Sequence, residues 1–232
     1  MECKRWSYKG KCGYAAHVKE RLYKYMLHMF HPIKTLDSKW FQHKQQFLER
    51  GWLLTSNFMV DSSTIPPAWT AEPSYRGISK FINHKMGITI SAMKELRRHL
   101  SFTQMRFHCN KQQGRTFHVT TAANSSGEAV VKYFSGQTNT LPDSCHSFFR
   151  MKDDNSHLAR YCARWGYDGY SHFVRKWGHK NKAGETRLYD HTAFVADQYH
   201  WMTTSGNRLC DDTNGDTFIT LSKGDFWKIF VR

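Results

Sequence analysis

With 232 residues, of which 15% are aromatic, the chain is long enough to bury a hydrophobic core and too rich in large apolar side chains to be disordered. Its 34 Lys and Arg residues outnumber 19 Asp and Glu residues. The formal net charge of +15 favours anionic partners such as nucleic acid, a sulfated polysaccharide or an anionic membrane face. The apolar runs are too short for a transmembrane helix, and the charged residues 1–5 do not begin a signal peptide.

Residues 1–51 predict a basic, helical N-terminal extension. Apolar residues at three- and four-residue spacing predict an amphipathic helix that ends near Pro32. Its apolar residues are Val18, Leu22, Tyr25, Met26 and Met29, and the basic residues between them include Lys19, Arg21 and Lys24. A second helix is predicted over residues 38–50, capped by Asp37 and ended by Gly51. Either the helix packs through its apolar face and the basic residues face solvent, or the basic residues contact an anionic surface.

From Trp52 the apolar period changes to two, which predicts a disulfide-stapled, β-rich domain over residues 52–232. Strands are predicted at residues 52–60, 105–109, 117–119, 128–134, 187–189, 193–195, 199–203 and 226–231. One helix is predicted after Ser91, and another from Asp154 or Asn155 to Trp165. Many short strands and few helices predict a mainly β fold, either an antiparallel β-sandwich or an α+β domain, whose first and last strands pair.

The cysteines favour structural disulfides over a metal or redox motif. None of the six forms a Cys-x-x-Cys pair. The predicted pairings are Cys109–Cys145, Cys162–Cys210 and Cys3–Cys12, among many that six cysteines allow. Disulfides and the glycosylation sequon at Asn124 both indicate a secreted protein.

The C-terminal part contains the phrases GRTFHVTTAANSSGEAVVKYFSGQ, LPDSCHSFFRM, RLYDHTAFVADQYHW and LSKGDFWKIFVR. With these phrases, residues 91–232 resemble a domain of uncharacterised secreted proteins of corals and sea anemones, including skeletal organic matrix proteins. The resemblance implies an extracellular location and association with a matrix or a surface. It implies no catalytic residue and does not cover the N-terminal helices.

The segment 164–182 interleaves aromatic and basic residues, and we call it the basic loop. Its candidate ligand-binding residues are Arg164, Trp165, Tyr167, Tyr170, Arg175, Lys176, Trp177, Lys180 and Lys182. Exposed aromatic rings stack on sugars, and neighbouring cations bind sulfate or carboxylate groups. The same mixture stacks unpaired bases and holds phosphates. The structural alternative is that the Trp residues fill the core, while the basic side chains only face solvent on a loop.

Two groups of residues are candidate metal ligands. Asp211, Asp212 and Asp216 surround a predicted turn and offer the oxygen ligands that calcium prefers, although the spacing is not that of an EF-hand. The alternative is a solvated turn. His191 and His200, with Asp190 nearby and with His118 or His146, offer a zinc or copper set if their strands are adjacent. The neighbours Ser144, Cys145 and His146 do not define a catalytic triad, because a triad assembles in space.

These observations predict a secreted, non-catalytic binding domain for an anionic glycan or a matrix protein. Its contacts would be the basic loop and the helix face at Lys19, Arg21 and Lys24. One alternative is an intracellular nucleic-acid-binding protein, favoured by the charge. Another is an extracellular metal-dependent enzyme of undefined reaction.

Overall fold

A computed structural model of the chain describes residues 48–49, 51–61, 71–80, 85–182, 184–204, 207–212 and 221–232. The predicted helix near residues 18–29, with Lys19, Arg21 and Lys24, lies outside the described residues, and so do Cys3 and Cys12. The chain divides into two compact units, one of Met1–Leu53 with Arg232 and one of Leu54–Val231.

In the smaller unit, strand β1 (Leu48–Glu49) pairs antiparallel with the first residues of strand β2 (Trp52–Met59). Glu49 lies opposite Trp52, so the connection between the two strands is short. Gly51 has a φ of +84°, which suits glycine and closes a tight turn. The prediction that a helix continues to residue 50 is therefore wrong at Leu48–Glu49, where Gly51 closes a hairpin instead of ending a helix.

The larger unit contains most of β2 and eight further strands. They are β3 (Lys85–Met86), β4 (Met105–Asn110), β5 (Thr116–Thr121), β6 (Phe148–Arg150), β7 (Ala193–Phe194), β8 (His200–Thr204), β9 (Asn207–Asp212) and β10 (Phe226–Val231). Its α-helices are α1 (Ile90–Leu100), α2 (Ser125–Phe134) and α3 (His157–Arg160). Short 3-10 helices lie at Tyr75–Lys80, Cys162–Arg164 and Lys180–Lys182.

The strands form two antiparallel sheets, which confirms the mainly β fold class. The larger sheet runs β2-β10-β4-β5-β6, with β3 also paired to β2, and the smaller sheet runs β7-β8-β9. The predicted pairing of the first and last strands of the domain is confirmed, because β2 lies beside β10. Among the described residues, no helix has the length and hydropathy to cross a membrane.

Part of the hydrophobic core lies where the inner face of the larger sheet meets the smaller sheet. Side chains alternate along β4, where Met105, Phe107 and Cys109 are fully buried. Trp201 of the smaller sheet packs on Phe107 with a centroid separation of 5.7 Å. Aromatic packing of this kind joins the two sheets into one core.

The disulfides join Cys109 to Cys210 and Cys145 to Cys162, so the predicted pairings of these four cysteines are wrong. Cys109 points inward from β4 and meets β9 of the smaller sheet. Cys145 meets the 3-10 turn that follows α3. The participation of all four in disulfides is confirmed and agrees with an oxidising compartment.

Residues 128–134 are helical, so the strand predicted there is wrong. Helix α2 begins after Asn124, whose Oδ1 accepts a hydrogen bond from the Gly127 amide at 3.0 Å. A Cβ on Gly127 would lie 1.9 Å from the Ala122 carbonyl oxygen, so glycine permits this close start. Val130, Val131 and Phe134 then share the buried face of the helix.

Two further predicted elements are shorter or different in the structure. The helix expected to reach Trp165 ends at Arg160, is capped by Ser156 and is followed by a 3-10 turn, where Cys162 is tied by its disulfide. The predicted strand at residues 187–189 is a turn. Arg187 is buried there and donates to the Tyr133 and Thr138 carbonyls at 2.9 and 2.8 Å.

Candidate functional site

The basic loop is anchored at two buried tryptophans. Trp165 and Trp177 have no exposed surface, and their rings pack edge to face at 4.8 Å. Trp165 Nε1 donates to the Leu158 carbonyl and Trp177 Nε1 donates to Ser147 Oγ, each at 2.8 Å. The prediction that these two rings stack on a ligand is therefore wrong, because burial leaves no face free. They hold the loop in place instead.

The centre of the loop is fixed by local contacts. The half-buried Tyr167 ring lies 4.6 Å from His172 and 4.7 Å from His179. The Asp168 carboxylate accepts from the amides of Ser171 and Tyr170, and these hydrogen bonds lower the pKa of Asp168 below its ordinary value. The loop is therefore preorganised without help from a ligand, and Tyr167 serves this internal packing.

Two aromatic side chains project from the loop, each beside a cation. Tyr170 is 88% exposed, and Lys180 Nζ lies 5.3 Å from its ring centroid. Phe173 is 43% exposed, and Arg164 Cζ lies 4.9 Å from its ring centroid. Phe173 is not among the residues predicted to bind a ligand, although it lies in the same segment and its aromatic character was a usable signal. These pairs place flat apolar surfaces next to positive charges.

The five basic residues of the loop fall into two groups. Lys176 pairs with Asp143 at 2.6 Å, and Lys182 pairs with Asp190 at 3.2 Å. Arg164, Arg175 and Lys180 are exposed, and within the described ranges none of them forms an ion pair. The last three are therefore available to an anion, whereas the other two are already neutralised by carboxylates.

The acidic residues predicted to bind calcium are used inside the fold. Asp211 is fully buried, forms an ion pair with Arg115 and accepts from the His157 amide at 2.9 Å, at the start of α3. Asp212 forms a buried ion pair with Lys111, and burial raises the pKa of Asp212 above its ordinary value. These contacts contradict a calcium site at Asp211 and Asp212, because neither carboxylate faces an open position. Asp216 lies outside the described residues.

The structure brings His191 and His200 together and adds His179. The His191 ring lies 5.5 Å from the His200 ring and 5.3 Å from the His179 ring, and His191 Nδ1 is hydrogen-bonded to Asp190. The suggested additions His118 and His146 are not part of these ring contacts. Neither nitrogen of the buried His200 has a hydrogen-bond partner among the described residues, and burial lowers the pKa of His200 to about 4. Burial also lowers the pKa of His179 to about 4.

His118 instead forms a cluster with His108 and Asp153. The two imidazoles lie directly opposite each other on β4 and β5 and stack with a centroid separation of 3.7 Å. His118 Nδ1 is 2.7 Å from Asp153 Oδ1, and His108 Nε2 is 3.7 Å from Asp153 Oδ2. Burial lowers the pKa of His108 to about 3 and lowers the pKa of His118. Partial burial acts to raise the pKa of Asp153, but contact with His118 lowers it below its ordinary value.

This cluster was not predicted, although the pairing of its two histidines could have been read from the sequence. In the predicted strands at residues 105–109 and 117–119, His108 and His118 are polar residues that alternate with apolar ones, so pairing these two strands as neighbours would have placed both imidazoles on the same face. Asp153 lies in the turn after β6, and only the tertiary structure brings it to them.

The remaining predicted features have structural roles. Ser144 Oγ donates to the Cys162 carbonyl at 2.6 Å and Cys145 is in a disulfide, so neither is arranged as a nucleophile. Asn124 is exposed and caps α2 through Oδ1. Its glycosylation stays a prediction.

A comparison with protein-family models, curated proteins and solved structures finds no match for this chain. The resemblance to secreted proteins of corals and sea anemones therefore stays a prediction. The function has to be inferred from the exposed side chains themselves, of which the basic loop offers the densest combination of aromatic and basic groups described above.

Proposed function

We propose that this chain is a secreted, non-catalytic domain that binds an anionic glycan through the basic loop. The observation that carries the proposal is the pairing of exposed rings with cations, Tyr170 with Lys180 and Phe173 with Arg164, on a loop that two buried tryptophans anchor. A matrix protein bearing such a glycan is the natural partner. In this proposal the domain is a β-sandwich with a basic helical extension at its N-terminus.

The chemistry of a sulfated or uronic-acid sugar fits this surface. A pyranose ring has an apolar face that stacks on an aromatic ring, while its sulfate or carboxylate groups accept hydrogen bonds from guanidinium and ammonium groups. Lys180 lies on one face of Tyr170, and the 88% exposure of this residue leaves most of the ring open to a sugar. Arg175 adds a third cation on the same loop that forms no ion pair among the described residues.

Preorganisation supports recognition by this loop. The internal contacts of Tyr167, Asp168 and the two tryptophans are already made, so binding orders few side chains. The formal net charge of +15 adds a long-range attraction that speeds association and weakens with salt. The disulfides agree with an extracellular setting, where such glycans occur.

The first experiment measures heparin binding by calorimetry at several salt concentrations. Replacement of Arg164, Arg175 and Lys180 by Gln should weaken binding and flatten its salt dependence, because fewer counterions are released. A matched control replaces three exposed cations on α1 and α2, Lys94, Arg98 and Lys132, and changes the net charge equally. Equal losses in both triple variants would show that only net charge matters and would overturn the loop as the site.

A second comparison separates stacking from charge and glycan from nucleic acid. Tyr170→Ala should weaken heparin binding about fivefold, the equivalent of ~1 kcal/mol for one exposed aromatic contact, without changing the salt slope. Single-stranded RNA serves as the competitor. If RNA displaces heparin at lower concentrations than heparin displaces RNA, the nucleic-acid alternative replaces the glycan proposal.

The N-terminal cations are tested separately. Replacing Lys19, Arg21 and Lys24 together by Gln measures what the extension adds to heparin binding. A loss larger than that of the loop triple variant would move the principal site to the extension.

A further inference from the structure

We propose that His108, His118 and Asp153 bind one zinc ion, at a site whose fourth coordination position is open to solvent. One ligand atom from each residue lies within 4.8 Å of the other two. Two imidazole nitrogens and one carboxylate are a donor set that zinc takes when three protein ligands leave a place for water or a substrate. The site is distinct from the basic loop and does not depend on the proposed glycan.

The fold itself brings the ligands together. His108 and His118 are register partners in the β4–β5 pair, so the hydrogen-bonded strands hold their Cβ atoms close on the outer face of the larger sheet. Asp153 reaches both rings from the turn after β6, at 2.7 Å from His118 and 3.7 Å from His108. Ligands at about 2.1 Å from a tetrahedral zinc lie roughly 3.4 Å apart. The two rings stack in almost parallel planes, with 2° between them, so both rings have to rotate until their nitrogens converge, and Asp153 has to move, before the three ligands enclose an ion.

The exposure of the cluster fits an open site. The side chains of His108 and His118 are 20% and 10% exposed, whereas that of Asp153 is 56% exposed. The imidazoles thus form the floor of the site, and the carboxylate stands at its solvent side. Phe226 packs edge-on against His108 at 4.8 Å and adds an apolar wall.

Two cations lie on the same outer face, and they define the class of the fourth ligand. Lys228 is the register partner of His108 on β10, and Arg106 is two residues before His108 on β4. Their charges oppose a divalent cation and attract an anion, so the Asp153 carboxylate is needed to offset them. The open position accordingly takes water or an anionic oxygen ligand, such as a carboxylate.

The other histidine group offers a poorer set. The His191 ring lies more than 5 Å from the rings of His179 and His200, whereas the His108 and His118 rings are 3.7 Å apart. Among the described residues, the cluster of His108, His118 and Asp153 is where three ligand atoms from His, Cys, Asp or Glu side chains lie within 4.8 Å of one another.

The test is a calorimetric titration of the full chain with zinc chloride, after removal of metals by EDTA. The wild-type protein should bind zinc, and Asp153→Asn and His108→Gln should each weaken the tightest binding step by at least about tenfold, a loss typical of damaged metal sites. His146→Asn is the matched control, because His146 is an exposed histidine outside the cluster and Asn tolerates its φ of 66°. It should leave the affinity unchanged.

Folding does not confound this experiment. Asn at position 153 keeps an oxygen that accepts from His118, and the position is largely exposed, so thermal unfolding in EDTA should match the wild type. Zinc should raise the unfolding temperature of the wild type and of His146→Asn, and less that of Asp153→Asn. The proposal is overturned if the wild type binds no zinc, or if Asp153→Asn binds it equally. It is also overturned if His191→Gln weakens binding and His108→Gln does not.

Discussion

His200 should make the stability of the domain sensitive to mild acid. Its side chain is buried in β8, and the His191 ring lies 5.5 Å away. Burial is the main cause that lowers the pKa of His200 from 6.5 to about 4, and the charge of His191 contributes. Below pH 6.5 the unfolded chain therefore binds a proton at this residue, whereas the folded protein stays unprotonated until about pH 4.

The sign and size of the effect follow from that difference. Stability is fully present above pH 6.5 and is lost as the pH falls toward 4, because protons favour the unfolded state throughout this window. The loss is about 1.4 kcal/mol for each pH unit, hence about 3 kcal/mol over the whole window. Only 3% of His200 is exposed, so solvent screening reduces this little.

The assay is urea unfolding followed by tryptophan fluorescence between pH 7.5 and 5, with disulfides intact. His200→Phe removes the titrating group without losing a hydrogen bond, because neither ring nitrogen has a described partner. Relative to this variant, the wild type should lose about 2 kcal/mol more between pH 6.5 and 5. Met202→Leu, a buried change on the same strand, should shift the wild-type profile without changing its shape. Parallel profiles for the wild type and His200→Phe would refute this reasoning.

Three further predictions concern stability, each measured as the free energy of unfolding in urea. Asp212→Asn leaves the buried Lys111 ammonium without its carboxylate and should cost about 3–5 kcal/mol, and adding Lys111→Met should recover part of the loss. Gly127→Ala places a methyl group against backbone and should cost about 3 kcal/mol, whereas Gly184→Ala, with open space around it, should be neutral. Reducing the disulfide between β4 and β9, which spans 101 residues, should cost up to about 4.7 kcal/mol.

The sequence predicted elements whose pattern is local and repeated. Helix α1 has its apolar residues at helical spacing after a Thr89 cap, and β4 alternates buried and half-buried residues. It also predicted that all six cysteines form disulfides, and the four that the structure describes do so. The prediction was wrong where a segment fits both a strand pattern and a helix pattern. The Val-Val-x-Tyr-Phe run of α2 satisfies a strand pattern, and the Asn124 cap that begins a helix was not weighed.

The candidate sites show the same division. Composition and charge by themselves determined that the basic loop is rich in cations and rings, but only burial separates Trp165 and Trp177, which fill the core, from the exposed Tyr170 and Phe173. Disulfide partners and the Asp153 contact with His118 depend on chain segments far apart in sequence. Local spacing carries no information about such contacts, because they form only when the two sheets and their connecting turns pack together.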